Sequence, residues 1–321
     1  MNYKPILIVA GEPNSVFFEI LFKALKKNNY KKPIILIASK NLLLKQMKKL
    51  GFKLQINLIN KEDTNYKKVN NKKINIIDVN YKFEKAFEKI SNKSNKYIAQ
   101  CFQIALKLLK KKIFSGMING PISKKNFLNN KYLGVTEYLA KKTNKKNKAV
   151  MLIYNKKLSV SPITTHLPLK EVYKHITREK IINHVKSIDQ FYKKNFHQKP
   201  NIAITGLNPH CESNYKTSEE SRAIIPAIKH LLKKKYNVSG PFAADTIFMK
   251  EQSNKYNVII GMYHDQVLTP IKTLFGFNAI NITIGLPFTR ISPDHGPNEK
   301  MIGKNLSNPK SLVQAINFLD T

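Results

Sequence analysis

Short runs of apolar, β-branched residues alternate along this chain with longer stretches in which apolar and lysine positions recur at helical spacing. Ile6-Leu7-Ile8-Val9 is followed by a helix-like stretch from Ser15 to Lys27, then by Ile34-Ile35-Leu36-Ile37, then by Leu42 to Leu50. This alternation is the signature of a mostly parallel sheet covered by helices. Further strands are predicted over Lys53 to Ile59, Ile74 to Val79, Met117 to Asn119, Ala149 to Tyr154, Leu158 to Ile163, Ile202 to Thr205, Val258 to Ile260 and Ala279 to Ile284. Helices are predicted over Phe83 to Lys111, Arg178 to Lys194, Ser218 to Lys235 and Pro309 to Leu319. The first strand runs into Gly11-Glu12-Pro13-Asn14-Ser15, so the usual glycine-rich dinucleotide fingerprint is absent.

A chain of 321 residues, 42% of them hydrophobic, can bury one large core or two smaller ones, and two lobes are expected. No apolar run is long enough to span a bilayer, and the N-terminus enters the first strand without a cleavable signal pattern, so no membrane partner and a cytoplasmic location are expected. Cys101 and Cys211 are too few for a disulfide framework, which fits a reducing compartment. The net charge of +36 raises the alternative of a non-catalytic nucleic-acid-binding module. Its distribution argues against that: lysines are spread through nearly every helix, as in Ala24-Leu25-Lys26-Lys27 and Leu108-Leu109-Lys110-Lys111-Lys112. The expected partner is a small molecule and not nucleic acid.

In so lysine-rich a chain the scarce residues carry information. Only Arg178, Arg222 and Arg290 are arginines, and Arg290 stands among apolar residues, where a bidentate fork suits carboxylate or phosphate. Several of the 12 glycines, Gly11, Gly120, Gly206, Gly261 and Gly285, close apolar strands, positions that imply tight turns or close backbone approach. Three histidines, His166, His210 and His264, each follow an apolar strand. Ligands of open α/β sheets bind beyond the carboxyl ends of the strands, so three imidazoles there form a candidate catalytic metal site. Singly, each reads as an ordinary hydrogen-bonded loop residue. Downstream, Asp265, Gln266, Lys272, Asn281, Arg290, Asp294 and His295 concentrate polar groups in an apolar context, and Lys272, Asn281 and Arg290 are candidates to cradle an anionic substrate.

Taken in order, the motifs resemble those of the 4-hydroxythreonine-4-phosphate dehydrogenase (PdxA) family. They are Gly11-Glu12-Pro13, Asn119-Gly120-Pro121-Ile122-Ser123-Lys124, Gly134 to Glu137, Thr164 to Leu169, Gly206-Leu207-Asn208-Pro209-His210, Gly240 to Thr246, Tyr263-His264-Asp265-Gln266, and Asn281 to Arg290 running into Asp294-His295-Gly296. The resemblance implies a two-lobed, isocitrate/isopropylmalate-dehydrogenase-like α/β/α fold that works as a homodimer with the active site in the cleft between lobes. The first lobe is expected to take about 1–125 plus about 270–321. The second, about 126–269, is expected to carry the metal ligands and the dimer interface. The family's metal ligands fall on His166, His210 and His264, its substrate contacts on Thr136, Lys272, Asn281 and Arg290, and an active-site aspartate on Asp245. Asp294 and His295, in the last motif, are the expected cofactor contacts. The cofactors implied are NAD and a divalent metal, zinc first, with magnesium or cobalt as alternatives. The implied reaction oxidises 4-phosphohydroxy-L-threonine to a 3-oxo acid that decarboxylates, in vitamin B6 synthesis, with Asp245 or Lys272 as proton acceptor and donor.

The chain departs from the family pattern in places that bear on substrate. Val135 stands where a substrate-contacting histidine is usual, glycines are missing after Pro13 and after His210, and Pro297 replaces a threonine. A paralogue oxidising 4-phosphothreonate or 4-phosphoerythronate is therefore one alternative. A metal-dependent hydrolase or lyase without NAD is another.

Overall fold

A computed structural model of the chain describes residues 3–27, 29–63, 66, 69–129, 131–132, 134–145, 149–211, 216–276, 278–293 and 296–321. In chain order the strands and α-helices are β1 (Ile6–Val9), α1 (Phe17–Lys27), β2 (Ile34–Ala38), α2 (Lys40–Lys49), β3 (Ile56–Leu58), β4 (Ile74–Asp78), α3 (Asn95–Lys110), β5 (Gly116–Asn119), α4 (Val135–Lys142), β6 (Val150–Tyr154) and β7 (Ser159–Pro162). They continue with α5 (Leu169–Val172), α6 (Arg178–Phe196), β8 (Ile202–Thr205), α7 (Ile225–Lys233), β9 (Val238–Phe242), α8 (Lys250–Ser253), β10 (Val258–Gly261), α9 (His264–Phe275), β11 (Ile280–Ile284), β12 (Arg290–Pro293) and α10 (Lys310–Asp320).

The chain divides into two compact units, Met1–Tyr138 with Pro287–Thr321, and Leu139–Leu286. The sequence suggests junctions near 125 and 270. In the structure, α9 and β11 stay with the second unit because β11 pairs antiparallel with β6, Ile280 opposite Tyr154 and Ile284 opposite Val150.

In the first unit the strands run β3-β4-β2-β1-β5-β12, all parallel. β1 is fully buried from Ile6 to Val9, which is why its sequence is a continuous apolar run with no alternation. In the second unit the order is β11-β6-β7-β10-β8-β9. β11, β6 and β7 pair antiparallel in turn, whereas β7, β10, β8 and β9 run parallel. Val160, Ala203, Ile259, Val267 and Ile271 are fully buried at the centre of this unit.

Two sequence expectations differ from the structure for a local reason. The helix expected from Phe83 begins only at Asn95, after a short 3-10 turn over Asn92–Ser94. Side chains occupy backbone groups that a helix over 83–91 would need: Gln46 Nε2 donates to the Ala86 carbonyl, and the Glu88 N–H donates to Asn14 Oδ1. The helix expected from Ser218 opens instead with a π-helical turn at Glu220–Ile224.

A buried histidine of the second unit lies away from the strand ends. His184 of α6 lies with its Nε2 2.6 Å from Ser161 Oγ on β7, and Ser161 Oγ in turn donates to the Met151 carbonyl. The ring therefore donates from Nε2. Desolvation, reinforced by Lys180, lowers its pKa to about 3 from an ordinary value of 6.5. Between those two values the unfolded chain binds a proton that the folded chain does not. His184 thus leaves stability intact above the ordinary histidine range and removes it progressively as pH falls toward about 3. Urea unfolding across this window is expected to show a slope of up to about 1.4 kcal/mol per pH unit from this group. His184→Gln, which carries an amide donor and does not titrate, is expected to lose that slope, and equal slopes in the two proteins would contradict the assignment.

Candidate active site

β10 pairs parallel on both sides, with β7 through Val258 opposite Ser159 and Gly261 opposite Pro162, and with β8 through Val258 opposite Ile202. The three strands therefore end at one edge of the sheet, and each is followed by one of the three histidines. His264 opens α9, and its ring centroid lies 5.9 Å from that of His166, with the planes tilted by 38°. His264 Nδ1 is 2.6 Å from Asp265 Oδ1. A carboxylate on that nitrogen fixes the ring and leaves Nε2 to face a ligand, the arrangement found behind metal-bound imidazoles.

His210 sits in left-handed backbone, φ 58° and ψ 6°, followed by Cys211 at φ 58°. Such conformations are strained for residues with side chains and persist where neighbours hold them. The neighbour here is Glu220. Its Oε1 accepts from the N–H groups of Leu207 (2.8 Å) and Asn208 (2.9 Å), and its Oε2 accepts from Asn208 Nδ2 (2.7 Å). A side chain at Gly206 would meet Cys211 Sγ and this same carboxylate, so glycine leaves the room they occupy. Burial alone would raise the Glu220 pKa; the hydrogen bonds from Asn208 and Leu207 outweigh it and hold the carboxyl below its ordinary value.

Donor chemistry and strand order both suit a divalent ion at this edge. Among the described residues, however, no three His, Cys, Asp or Glu side chains are gathered closely enough to hold one. The His166 and His264 rings are neighbours, their centroids 5.9 Å apart. Asp245 lies on the exposed turn after β9, which pairs parallel with β8 and so ends on the same side of the sheet as the His210 strand. Lys272 is exposed on α9, two turns beyond His264, or roughly 12 Å along the axis at ~1.5 Å per residue. Asn281 lies on β11, and its Oδ1 is buried without a hydrogen-bond partner among the described residues, a group that a ligand donor would satisfy.

Thr136 and Arg290 belong to the first unit. Arg290, only 3% exposed, donates from Nε to Asn119 Oδ1 at 2.6 Å and from a terminal nitrogen to Thr136 Oγ1 at 3.3 Å. Burial lowers its pKa to about 10, the nearby Glu137 carboxylate opposing the shift, so the guanidinium stays charged at neutral pH. Thr136 stands in the first turn of α4, and backbone N–H groups at a helix start favour anions, as does a guanidinium held in fixed geometry. Nearby in sequence to Asn119, Gly120 closes β5; a side chain there would meet the Ala10 carbonyl, and one at Gly11, φ 78°, would meet that of Pro121. The loops after β1 and β5 thus pack backbone to backbone, which accounts for glycine at both. Glu12, buried between them, accepts from Ser94 Oγ and the Asn14 N–H, and desolvation raises its pKa. Asp294 and His295 lie outside the described residues.

The sequence alone singles out neither Asn119 behind Arg290 nor Glu220 behind the His210 turn. Asn119 stands in a recognisable motif, but nothing in the pattern around Glu220 announces a carboxylate buried against the His210 turn.

The profile of the family described as "Pyridoxal phosphate biosynthetic protein PdxA" matches residues 29–319. A relative from Sulfurihydrogenibium sp. named 4-hydroxythreonine-4-phosphate dehydrogenase is 37% identical over 97% of this chain and 96% of its own. The crystal structure of 4-hydroxythreonine-4-phosphate dehydrogenase from Klebsiella pneumoniae superimposes with a TM-score of 0.85 at 26% identity, over 99% of this chain and 98% of that one. Isocitrate dehydrogenase from Methylococcus capsulatus, 9% identical, matches at 0.50 over 98% of this chain and 84% of its own, a likeness of fold alone. These names speak for oxidoreductase chemistry and lend nothing to the hydrolase, lyase or nucleic-acid readings. No helix among the described residues is long and apolar enough to cross a membrane. With a family profile matched over most of its length and a relative above 30% identity across nearly all of it, the chain belongs to the PdxA family of pyridoxal phosphate biosynthetic proteins.

Proposed function

We propose that this chain is an NAD-dependent, divalent-metal-assisted dehydrogenase that oxidises 4-phosphohydroxy-L-threonine at its C3 hydroxyl. The hydroxyl proton passes to a base and the C3 hydrogen to the nicotinamide as hydride, giving NADH and a 3-oxo acid. The bond to the carboxyl carbon then breaks, carbon dioxide leaves, and a proton returns to carbon, yielding 3-amino-2-oxopropyl phosphate. The observation that most supports this reading is the placement of His166, His210 and His264 beyond adjacent parallel strands in a chain of this family.

A divalent ion at these imidazoles, zinc before magnesium or cobalt, would act as a Lewis acid that lowers the pKa of a substrate hydroxyl and offsets negative charge developing at its carbonyl. The protein's own groups do the rest. Asp265 orients His264 through Nδ1, and Glu220 holds the turn that presents His210. Arg290, charged and fixed by Asn119 and Thr136, binds an anionic end of the substrate, with Lys272 and Asn281 as further contacts. Asp245 or Lys272 takes up and returns the proton. Asp294 and His295 are assigned to the cofactor. The protein is assigned to the cytoplasm as a homodimer whose interface lies on the second unit, and that neither Cys101 nor Cys211 is in a disulfide suits that compartment.

One residue favours a second reading. Val135, beside Thr136, cannot donate a hydrogen bond where the family has histidine, so 4-phosphothreonate or 4-phosphoerythronate is the alternative substrate. Following NADH formation by metal-replete protein with the three acids separates these readings. Fastest turnover of 4-phosphohydroxy-L-threonine is expected, and preference for either of the others would assign the paralogue. Arg290→Lys is expected to raise KM for the phosphorylated substrate roughly 10- to 100-fold with a smaller effect on kcat, because a lysine cannot keep the fork while bonded to Asn119 and Thr136. An unchanged KM would remove Arg290 from substrate binding.

A further inference from the structure

One side chain that lies in none of the proposed binding or catalytic roles joins the turns that carry His210 and His264, and the turn that carries His166 is bonded to the second of these. Gln266, in the first turn of α9, folds its amide back toward the end of β10. Its Oε1 accepts from the Met262 N–H at 2.7 Å and from Thr205 Oγ1 at 3.0 Å, and its Nε2 donates to the Gly206 carbonyl at 2.8 Å. Met262 begins the turn that leads to His264, and Thr205 and Gly206 begin the turn that leads to His210. On its other side, the Met262 carbonyl accepts from both the N–H (3.2 Å) and the Oγ1 (2.7 Å) of Thr164, in the turn that leads to His166. Thr164, Thr205 and Met262 are all buried, so these bonds are shielded from competing water.

The chemistry of the link is specific to glutamine. One group must accept two hydrogen bonds and, at the same time, donate a third to a carbonyl. A carboxylate accepts but cannot donate, and would set a negative charge against the Gly206 carbonyl. Asparagine is one methylene shorter. Gly261 supplies the room, since a side chain there would meet Gln266 Oε1 at 2.9 Å and would also strike Val267. Glycine at Gly206 leaves similar room for Glu220. Two of the strand-ending glycines are thereby explained by the polar side chains packed against them.

We infer that Gln266 is a positioning residue that sets the spacing of the His210 and His264 turns, to which Thr164 ties the His166 turn, and with it the affinity and geometry of the metal site. This rests on the metal reading above. Cobalt(II), whose visible absorption reports its ligand geometry, is the probe. It is titrated into the full-length protein stripped of metal, against a chelator of known affinity, for wild type, Gln266→Met, Gln266→Glu and His166→Ala. The same proteins, free of metal, are followed by amide hydrogen exchange at Thr164, Gly206 and Met262.

Gln266→Met is expected to weaken cobalt binding ~10- to 100-fold, the usual effect of removing a support behind metal ligands, and to change the visible spectrum. Gln266→Glu, which keeps the bonds to Met262 and Thr205 and loses the one to Gly206, is expected to fall between Met and wild type. Gln266→Met, which removes the acceptor of the Met262 N–H, should speed exchange at that amide, whereas Gln266→Glu, which keeps the acceptor, should speed it less. Affinity and spectrum equal to wild type in both variants would overturn the inference. If wild type binds no cobalt, or His166→Ala binds it equally well, it is the metal reading that fails; exchange in the metal-free proteins then decides the positioning role, with unchanged protection in both variants overturning it.

Discussion

The double parallel pairing of β10 is the constraint on which the second unit's chemistry depends. Because β7 and β8 flank it in the same direction, three chain segments far apart in sequence leave the sheet at one edge. A parallel ladder of this kind needs both faces covered and so is read as uninterrupted apolar runs, which makes the strand ends the natural place for polar groups. Some backbone groups are freed where the ladders stop. Glu220, Gln266 and Thr164 take them up, and in doing so fix the turns beyond.

The same logic separates the few buried ionisable groups from the many exposed ones. Arg290 and Glu220 are buried with charge retained because hydrogen bonds in fixed directions offset their desolvation; His184 is buried with charge surrendered. Lysine could serve none of these places well, which explains why an arginine stands at 290 in a chain otherwise so rich in lysine. The surplus of positive charge sits elsewhere, and even a paired lysine such as Lys107, 3.8 Å from Glu62 with both side chains exposed, contributes little to stability. Stability comes instead from the apolar strands and the helix faces laid over them.

The alternation of strands and helices, the buried strands of the first unit and the strand-end placement of the histidines were legible in the sequence, because each follows from an uninterrupted apolar run. What was not legible has physical reasons. β9 carries Gly240-Pro241 and β12 ends in Pro293, residues that argue against strands. α9 holds Pro270 inside it, and α4 is a short helix after a loop, so neither shows a clear helical pattern. The stretch before Asn95 has helical composition but hydrogen-bonds its backbone to side chains distant in sequence, the Ala86 carbonyl accepting from Gln46 and the Glu88 N–H donating to Asn14, which no local pattern records. For the site, the histidines, Arg290 and Thr136 were visible as residue types in motifs. The supports behind them, Glu220 above all, depend on contacts across segments and could be found only in three dimensions.

The central claim is that three imidazoles beyond adjacent parallel strands share one ion. X-ray absorption at the metal edge of the zinc-loaded protein tests it most directly, because it counts and types the ligands without reference to activity. The account predicts three imidazole nitrogens at roughly 2.0–2.1 Å with oxygen completing the shell. A shell of oxygens alone, or sulfur at about 2.3 Å from a cysteine, would contradict it.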